Sequence, residues 1–342
     1  MKASLGSTPQ NTTPLSPENT AVGSHPRSVL TREILADLDT PVSTFLKVGN
    51  KPNSYLFESV TGGDKWGRYS IIGLPCRESV SITGHHVSRI VDGKVIEEID
   101  VDDPLQWVEA FQSQYFMDDY AGLPRFVGGL VGFFGYETIA YIEQKLAGVA
   151  KEDPLGTPDI ALLVSNEVIV FDNLLGKLLI VVHVARGEEA AGQARLDQIE
   201  RELRAPLVQT PAAQTRQLDA TDFTSSFGQN AFIAGVDTIR DYITAGDCMQ
   251  VVLSQRLSAP FNTDALSLYR ALRLLNPSPY MYYLNFGDYQ IVGSSPEILV
   301  RLEDNEVTVR PIAGTRPRGA TDEQDHAFEE SLLADPKELA EH

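Results

Sequence analysis

Apolar and polar positions alternate with a period of two along Tyr55–Val60, Tyr69–Gly73, Val80–Thr83, Val87–Val91 and Lys94–Asp100, which predicts a run of β-strands. Asp92-Gly93 stands between the last two as a two-residue hairpin signal. Val42–Val48 shows the same alternation and is also expected as a strand, and Ser28–Leu38 as a short helix or an extended lead-in. The period then changes. Pro104–Tyr115 places Leu105, Val108 and Phe111 on one helical face. The stretch 126–135, FVGGLVGFFG, is apolar and rich in glycine. It lacks GxGxxG spacing, so it reads as a buried strand whose glycines permit close backbone approach. Ile160–Asp172 and Lys177–Val184 are expected to pair around Asn173–Gly176, followed by a polar amphipathic helix over Glu188–Leu203.

Ala205–Ala220 carries two prolines and no periodicity, the pattern of a linker or long surface loop. Beyond it, Phe232, Val236, Ile239 and Ile243 form one stripe of a helix over Asn230–Ala245, which Gly246 ends. Cys248–Leu257 is expected as a strand with Gln250, Val252 and Ser254 on one face, and Ala265–Leu275 as a helix. Two short strand pairs follow: Tyr280–Phe286 with Tyr289–Gly293, turning at Gly287-Asp288, and Ile298–Leu302 with Glu306–Arg310, turning at Asp304-Asn305. Thr321 and Gln324 have capping-box spacing before an apolar periodic run, and Pro336 opens a final helix. The chain therefore divides into a polar leader (1–27), a first segment (28–204), a linker (205–227) and a second segment (228–342).

Composition narrows the function. An apolar content of 42% with 22% charged residues is that of an ordinary globular chain. A net charge of −19 argues against sequence-independent binding to nucleic acid or to an anionic membrane. A local basic pocket remains open to Arg310, Arg316 and Arg318. Cys76 and Cys248 are too few for a disulfide framework and lack metal-site spacing, which fits a reducing, cytoplasmic setting. The longest apolar runs, Ile160–Val164 and Leu178–Val182, are far shorter than a membrane span. The leader is rich in Ser, Thr, Pro and Asn and is expected to be disordered. His85-His86 reads as a surface pair and His183 as a strand residue.

Candidate chemistry concentrates between Asn276 and Gly319. Glu297 follows Ser295 and a proline-fixed corner at Pro296. It either faces water or acts as an acid held at a semi-buried strand entry, where its pKa would rise. Gly314-Thr315, between Pro311 and Pro317, forms either a plain turn or a loop offering backbone N–H groups and a hydroxyl to a ligand carboxylate. Glu338 and Glu341 stand three apart on the last helix, as a solvated face or as oxygen ligands for Mg²⁺. Glu58-Ser59, Asn276 and Pro279-Tyr280-Met281 lie in β-rich contexts, where packing is the default role of Tyr280 and Met281.

The segments YLFESVTGGDKWGRYSIIG (55–73), GLVGFFGYE (129–137), GDCMQVVLSQR (246–256), NPSPYMYYLNFGD (276–288), VGSSPEILVR (292–301), RPIAGTRPRG (310–319) and LLADPKELAEH (332–342) together resemble the large, aminase subunits of anthranilate synthases, within the chorismate-utilising enzymes. The resemblance runs from about Val42 to His342. It implies an α+β or α/β fold of stacked, largely antiparallel sheets flanked by helices. It also implies conversion of chorismate and ammonia to anthranilate and pyruvate, with Mg²⁺ holding the substrate. Ammonia would come from a glutamine amidotransferase subunit, and tryptophan would inhibit.

Carried over by position, Glu297 is the acid that assists departure of the C4 hydroxyl, Gly314 and Thr315 contact chorismate, Glu341 binds Mg²⁺, and Glu338 supports it. Glu58, Ser59, Pro279, Tyr280 and Met281 form the tryptophan site, with Phe57 a conservative departure from its Leu-Leu-Glu-Ser element. Aminodeoxychorismate synthases carry a lysine where this chain has Ala313. Isochorismate and salicylate synthases carry one where it has Gln250, so both are lesser alternatives. Full-length relatives continue well past the Ala-Glu-His at 340–342, with a glycine-rich Ala-Gly-Thr segment, a substrate-binding arginine and tyrosine, and a second Mg²⁺ glutamate. The sequence is thus expected to be C-terminally truncated, and the other reading is an inactive fragment that retains at most tryptophan or partner binding.

Overall fold

Local signals start most of the elements in the structure, a computed structural model that describes residues 27–60, 68–115, 122–148, 153–207, 216–303, 305–311 and 314–342. In chain order these are β1 (Arg27–Leu35), α1 (Pro41–Val48), β2 (Ser54–Glu58), β3 (Tyr69–Gly73), β4 (Glu78–Thr83), β5 (His86–Val91), β6 (Lys94–Asp100) and α2 (Pro104–Ser113). β7 (Gly129–Phe134), β8 (Ile160–Ser165), β9 (Glu167–Asp172), β10 (Lys177–Ala185) and α3 (Glu189–Leu203) follow. The remainder comprises β11 (Thr224–Ser225), α4 (Gln229–Ala245), β12 (Leu257–Ser258), α5 (Ala265–Leu275), β13 (Tyr280–Asn285), β14 (Gln290–Ser295), β15 (Arg301–Glu303), β16 (Glu306–Thr308), α6 (Asp322–Ala334) and α7 (Pro336–Glu341).

The strand expected over 42–48 is instead the helix α1, and the reason is local. Thr40 caps it by accepting from the Ser43 amide at 3.1 Å, Ser43 Oγ accepts in return from the Thr40 amide at 2.9 Å, and Pro41 occupies the first turn. Pro41, Thr44, Phe45 and Val48 are buried, a helical spacing that the alternating pattern had concealed.

The chain forms two compact units, neither continuous in sequence. Among the described residues, the first lies within 27–34, 76–170 and 178–201. Its five-stranded antiparallel sheet runs β6-β5-β4-β8-β7. Val80, Ile82, Val87, Ile160, Leu162 and Val164 from this sheet pack with Val108 and Phe111 of α2. The hairpin between β5 and β6 turns where expected, with Asp92 at φ +50° and Gly93 at φ +74°, the left-handed pair of a type I′ turn. Gly132 of β7 confirms close backbone approach, since an added Cβ would lie 1.8 Å from the Ala161 carbonyl oxygen. β7 is nevertheless only half-buried, unlike the expectation from its apolar run. The expected strand over 160–172 is two strands broken at Asn166. β8 belongs to the five-stranded sheet, whereas β9 lies beside β10, which in turn lies beside β1. The three polar residues Ser165, Asn166 and Glu167 mark the break between the two apolar runs.

The second unit comprises residues 35–75, 171–177 and 202–342, so the expected 28–204 and 228–342 segments do not coincide with the two units. The physical cause is the antiparallel pairing of β2 with β13, which ties an early strand to the later half. Within this unit β3, β2, β13 and β14 are adjacent in that order. Phe45 of α1 and Tyr269 of α5 pack against Tyr283 of β13, with ring centroids 5.6 and 6.1 Å apart. Gly293 lies opposite Tyr282, whose ring covers it so closely that a Cβ would sit 2.1 Å from Cζ. The strand expected over 248–257 is absent. Only Leu257–Ser258 pairs, with Thr224–Ser225, and the preceding residues have no ladder to join among the described residues. The pair expected over 298–310 shortens to β15 and β16, turning at Asn305 with φ +62°. Of the expected leader, residues 1–26 lie outside the described residues, as do residues 208–215 of the linker. Among the described residues no helix is long and apolar enough to cross a membrane.

Candidate functional site

Glu58 ends β2 directly opposite Met281 of β13, and two residues on the Val60 amide donates to the Ser278 carbonyl at 3.1 Å. Register thus brings together Glu58-Ser59 and Pro279-Tyr280-Met281, two segments that are far apart in sequence. The Glu58 carboxylate is only 4% exposed. It accepts from the Tyr269 hydroxyl at 2.6 Å and from Arg273 Nε and Nη2 at 3.0 and 3.2 Å. Burial, and then the adjacent Glu58 charge, push the Tyr269 hydroxyl far above its ordinary pKa. Sequence reasoning missed both partners. Their signal was present: Tyr269 and Arg273 are four apart on an amphipathic helix and project from one face.

Glu297 sits on the loop between β14 and β15 and is exposed, not at the semi-buried strand entry expected of it. The displaced start of β15 explains the difference, since residues 298–300 are irregular. The loop is nonetheless fixed locally. Ser295 Oγ donates to the Glu297 carbonyl at 3.0 Å and accepts from the Glu297 amide at 3.4 Å, a turn that Pro296 reinforces by its locked φ. Ser295, Glu297 and Leu299 face Val309, Arg310 and Pro311 across an open cleft of about 430 Å³. One carboxylate and one guanidinium therefore share its lining.

The other two predicted arginines are committed to acidic partners. Arg318 pairs with Asp325 at 2.5 Å, and Arg316 bridges Asp335 at 2.7 Å and Glu338 at 3.1 Å. The hydrogen bond to Glu338, with that to Asp335, outweighs desolvation and raises the Arg316 pKa above its ordinary value. Gly314 stands hard against the same group, since an added Cβ would meet Glu338 Oε2 at 1.7 Å. Thr315 is exposed beside it. The structure thus joins the Gly314-Thr315 loop to the last helix, with Arg316 as the clasp. Ala313 and the Glu341 side chain lie outside the described residues. Glu341 is the ligand expected for Mg²⁺, with Glu338 in support. Glu338 is turned to Arg316, and no group of three or more His, Cys, Asp or Glu side chains among the described residues is placed to hold an ion.

Residues 55–342 match the chorismate binding enzyme family, and with antiparallel sheets flanked by helices the chain belongs to that family. Within it, the chain is 54% identical to anthranilate synthase component 1 of Pseudomonas putida over 332 residues, covering 94% of the chain and 66% of that protein. Against the protein of the same name from Pseudomonas aeruginosa it is 52% identical over 330 residues, with the same coverage. The crystal structure of anthranilate synthase component I from Streptococcus pneumoniae superposes with a TM-score of 0.66 at 31% identity, covering 90% of this chain and 65% of that one. The menaquinone-specific isochorismate synthase of Escherichia coli, at 16% identity and a TM-score of 0.54, shares the fold. The chain spans 65–66% of the length of the three anthranilate synthase proteins.

Proposed function

We propose that the chain is the chorismate-binding part of an anthranilate synthase large subunit, which converts chorismate and ammonia to anthranilate, pyruvate and water. The observation that carries this reading is the cleft in which Glu297 and Arg310 share a lining, in a chain 54% identical to an anthranilate synthase component 1. Chorismate is a dicarboxylate that must lose a hydroxyl. Arg310 offers a cation to a carboxylate, and Glu297 a proton to the departing C4 hydroxyl. Ammonia adds at C2 as that hydroxyl leaves as water, and loss of pyruvate then aromatises the ring. Ammonia attacks as NH₃ and needs no base, consistent with glutamine at position 250. The nitrogen donor in this reading is a glutamine amidotransferase partner, and the setting is cytoplasmic.

The same reading makes tryptophan an inhibitor bound where Glu58-Ser59 meets Pro279-Tyr280-Met281. The pairing of Glu58 with Met281 supports this location. In this reading Mg²⁺ would be held through Glu341 and would supply positive charge to a substrate carboxylate. The test is anthranilate fluorescence from chorismate and ammonium, using the protein encoded by the complete reading frame. Glu297→Gln is expected to abolish turnover while leaving chorismate binding intact, and wild-type turnover by that variant overturns the assignment.

A further inference from the structure

Ser278 is one of the few buried polar side chains, at 5% exposure, and it lies on the exit from α5. Its hydroxyl donates to the carbonyl of Ser295, and its own carbonyl accepts from the Val60 amide at 3.1 Å. Two residues earlier, the Asn276 carbonyl accepts from Ser294 Oγ at 2.8 Å, and Asn276 Nδ2 approaches the same oxygen at 3.4 Å. The exit segment is therefore strapped to the last two residues of β14 at two successive points. From there Ser295 Oγ makes two bonds that shape the Glu297 turn. Glu297 itself is exposed.

We propose that Ser278 is a positioning residue for Glu297, acting through the Ser295 carbonyl and the Ser295 hydroxyl turn. This rests on the reading of Glu297 as the acid. Proton delivery to a leaving oxygen requires hydrogen-bond reach, and a displacement of about 1 Å costs on the order of a hundredfold in rate. Ser278 fixes the β14 end of the loop to a buried anchor, the junction of α5 with the end of β2. Releasing that anchor leaves Val309, Arg310 and Pro311 of the cleft lining in place but lets the Ser295–Glu297 turn drift. The effect therefore falls on turnover and not on substrate affinity.

The experiment measures kcat and KM for chorismate, with ammonium as nitrogen donor, in the full-length protein and in four variants. Ser278→Ala is expected to lower kcat about tenfold with KM within about twofold, and Ser278→Thr, which keeps the hydroxyl, to restore most of the loss. Ser295→Ala cuts the same chain one link later and is expected to match Ser278→Ala. It also carries the test should Ser278→Ala fail to fold. Wild-type kcat in both alanine variants, or no recovery with threonine, overturns the proposal. Glu297→Gln separates the two readings. If it keeps wild-type kcat, the acid assignment itself falls. If it is inactive while both alanine variants turn over normally, only the role of Ser278 falls.

Discussion

Removing one oxygen atom, by Tyr269→Phe, measures how far the second unit depends on the buried Glu58 carboxylate. The substitution keeps the ring, which is fully buried and packs on Tyr283, so it opens no cavity of consequence. It deletes the 2.6 Å hydroxyl bond to a carboxylate that is 4% exposed and out of reach of ready water compensation. A hydrogen bond to a charged group contributes about 1.5–3 kcal/mol. Arg273 remains, but its side chain is 38% exposed, and solvent screening limits how much of the loss it offsets. The expected cost is therefore about 2 kcal/mol, read as a lower urea midpoint with unchanged slope. At about 2–4 °C per kcal/mol this corresponds to a fall of about 4–8 °C in the melting temperature. In a Glu58→Gln background the same substitution removes only a neutral bond and should cost about 1 kcal/mol. Equal costs in the two backgrounds, or a single-variant cost within about 0.5 kcal/mol of zero, would refute the view that Tyr269 holds the charge of Glu58.

Two further outcomes are expected in the first unit. Gly132→Ala forces a methyl against the Ala161 carbonyl of the neighbouring strand, an obstacle that cannot rotate away, so it should cost at least the upper end of about 1–3 kcal/mol in a thermal melt. An unchanged melt would show that β7 and β8 separate freely there. His183 donates from Nε2 to the Val127 carbonyl at 2.6 Å, and burial holds its pKa below the usual 6.5. The unfolded chain then takes up this proton before the folded one, so stability falls as pH is lowered through 6.5 and levels off once folded His183 titrates. Urea midpoints on either side of that pH should differ less in His183→Gln, and an unaltered difference would exclude His183 as the source.

The candidate site was legible to different depths in its different parts. Glu297, Gly314 and Thr315 could be singled out because Pro296, Pro311 and Pro317 restrict the backbone around them, and that restriction is written locally. The exposure of Glu297 was not legible, because it depends on where β15 begins, and that is fixed by pairing with β16. The commitment of Arg316 to Asp335 and Glu338 was likewise hidden, since about twenty residues separate the partners and only the fold of the loop against the last helix joins them.

Local chemistry by itself determined most strands of the first unit, the Asp92-Gly93 turn, the helix over 265–275, and the caps at Thr321 and Asp335. These depend on side-chain period and on hydrogen bonds spanning three or four residues, which a sequence displays directly. The same reasoning was misled at 42–48, where a capping signal at Thr40 outweighed an alternating pattern. Tertiary structure alone decided that the strands on either side of Asn166 belong to different sheets, that residues 248–256 join no ladder among the described residues, and that the Glu58 carboxylate is held by Tyr269 and Arg273. Each of these depends on which distant backbone or side chain supplies the missing hydrogen bond. A buried polar group has to be paired, but its sequence neighbours do not say with what.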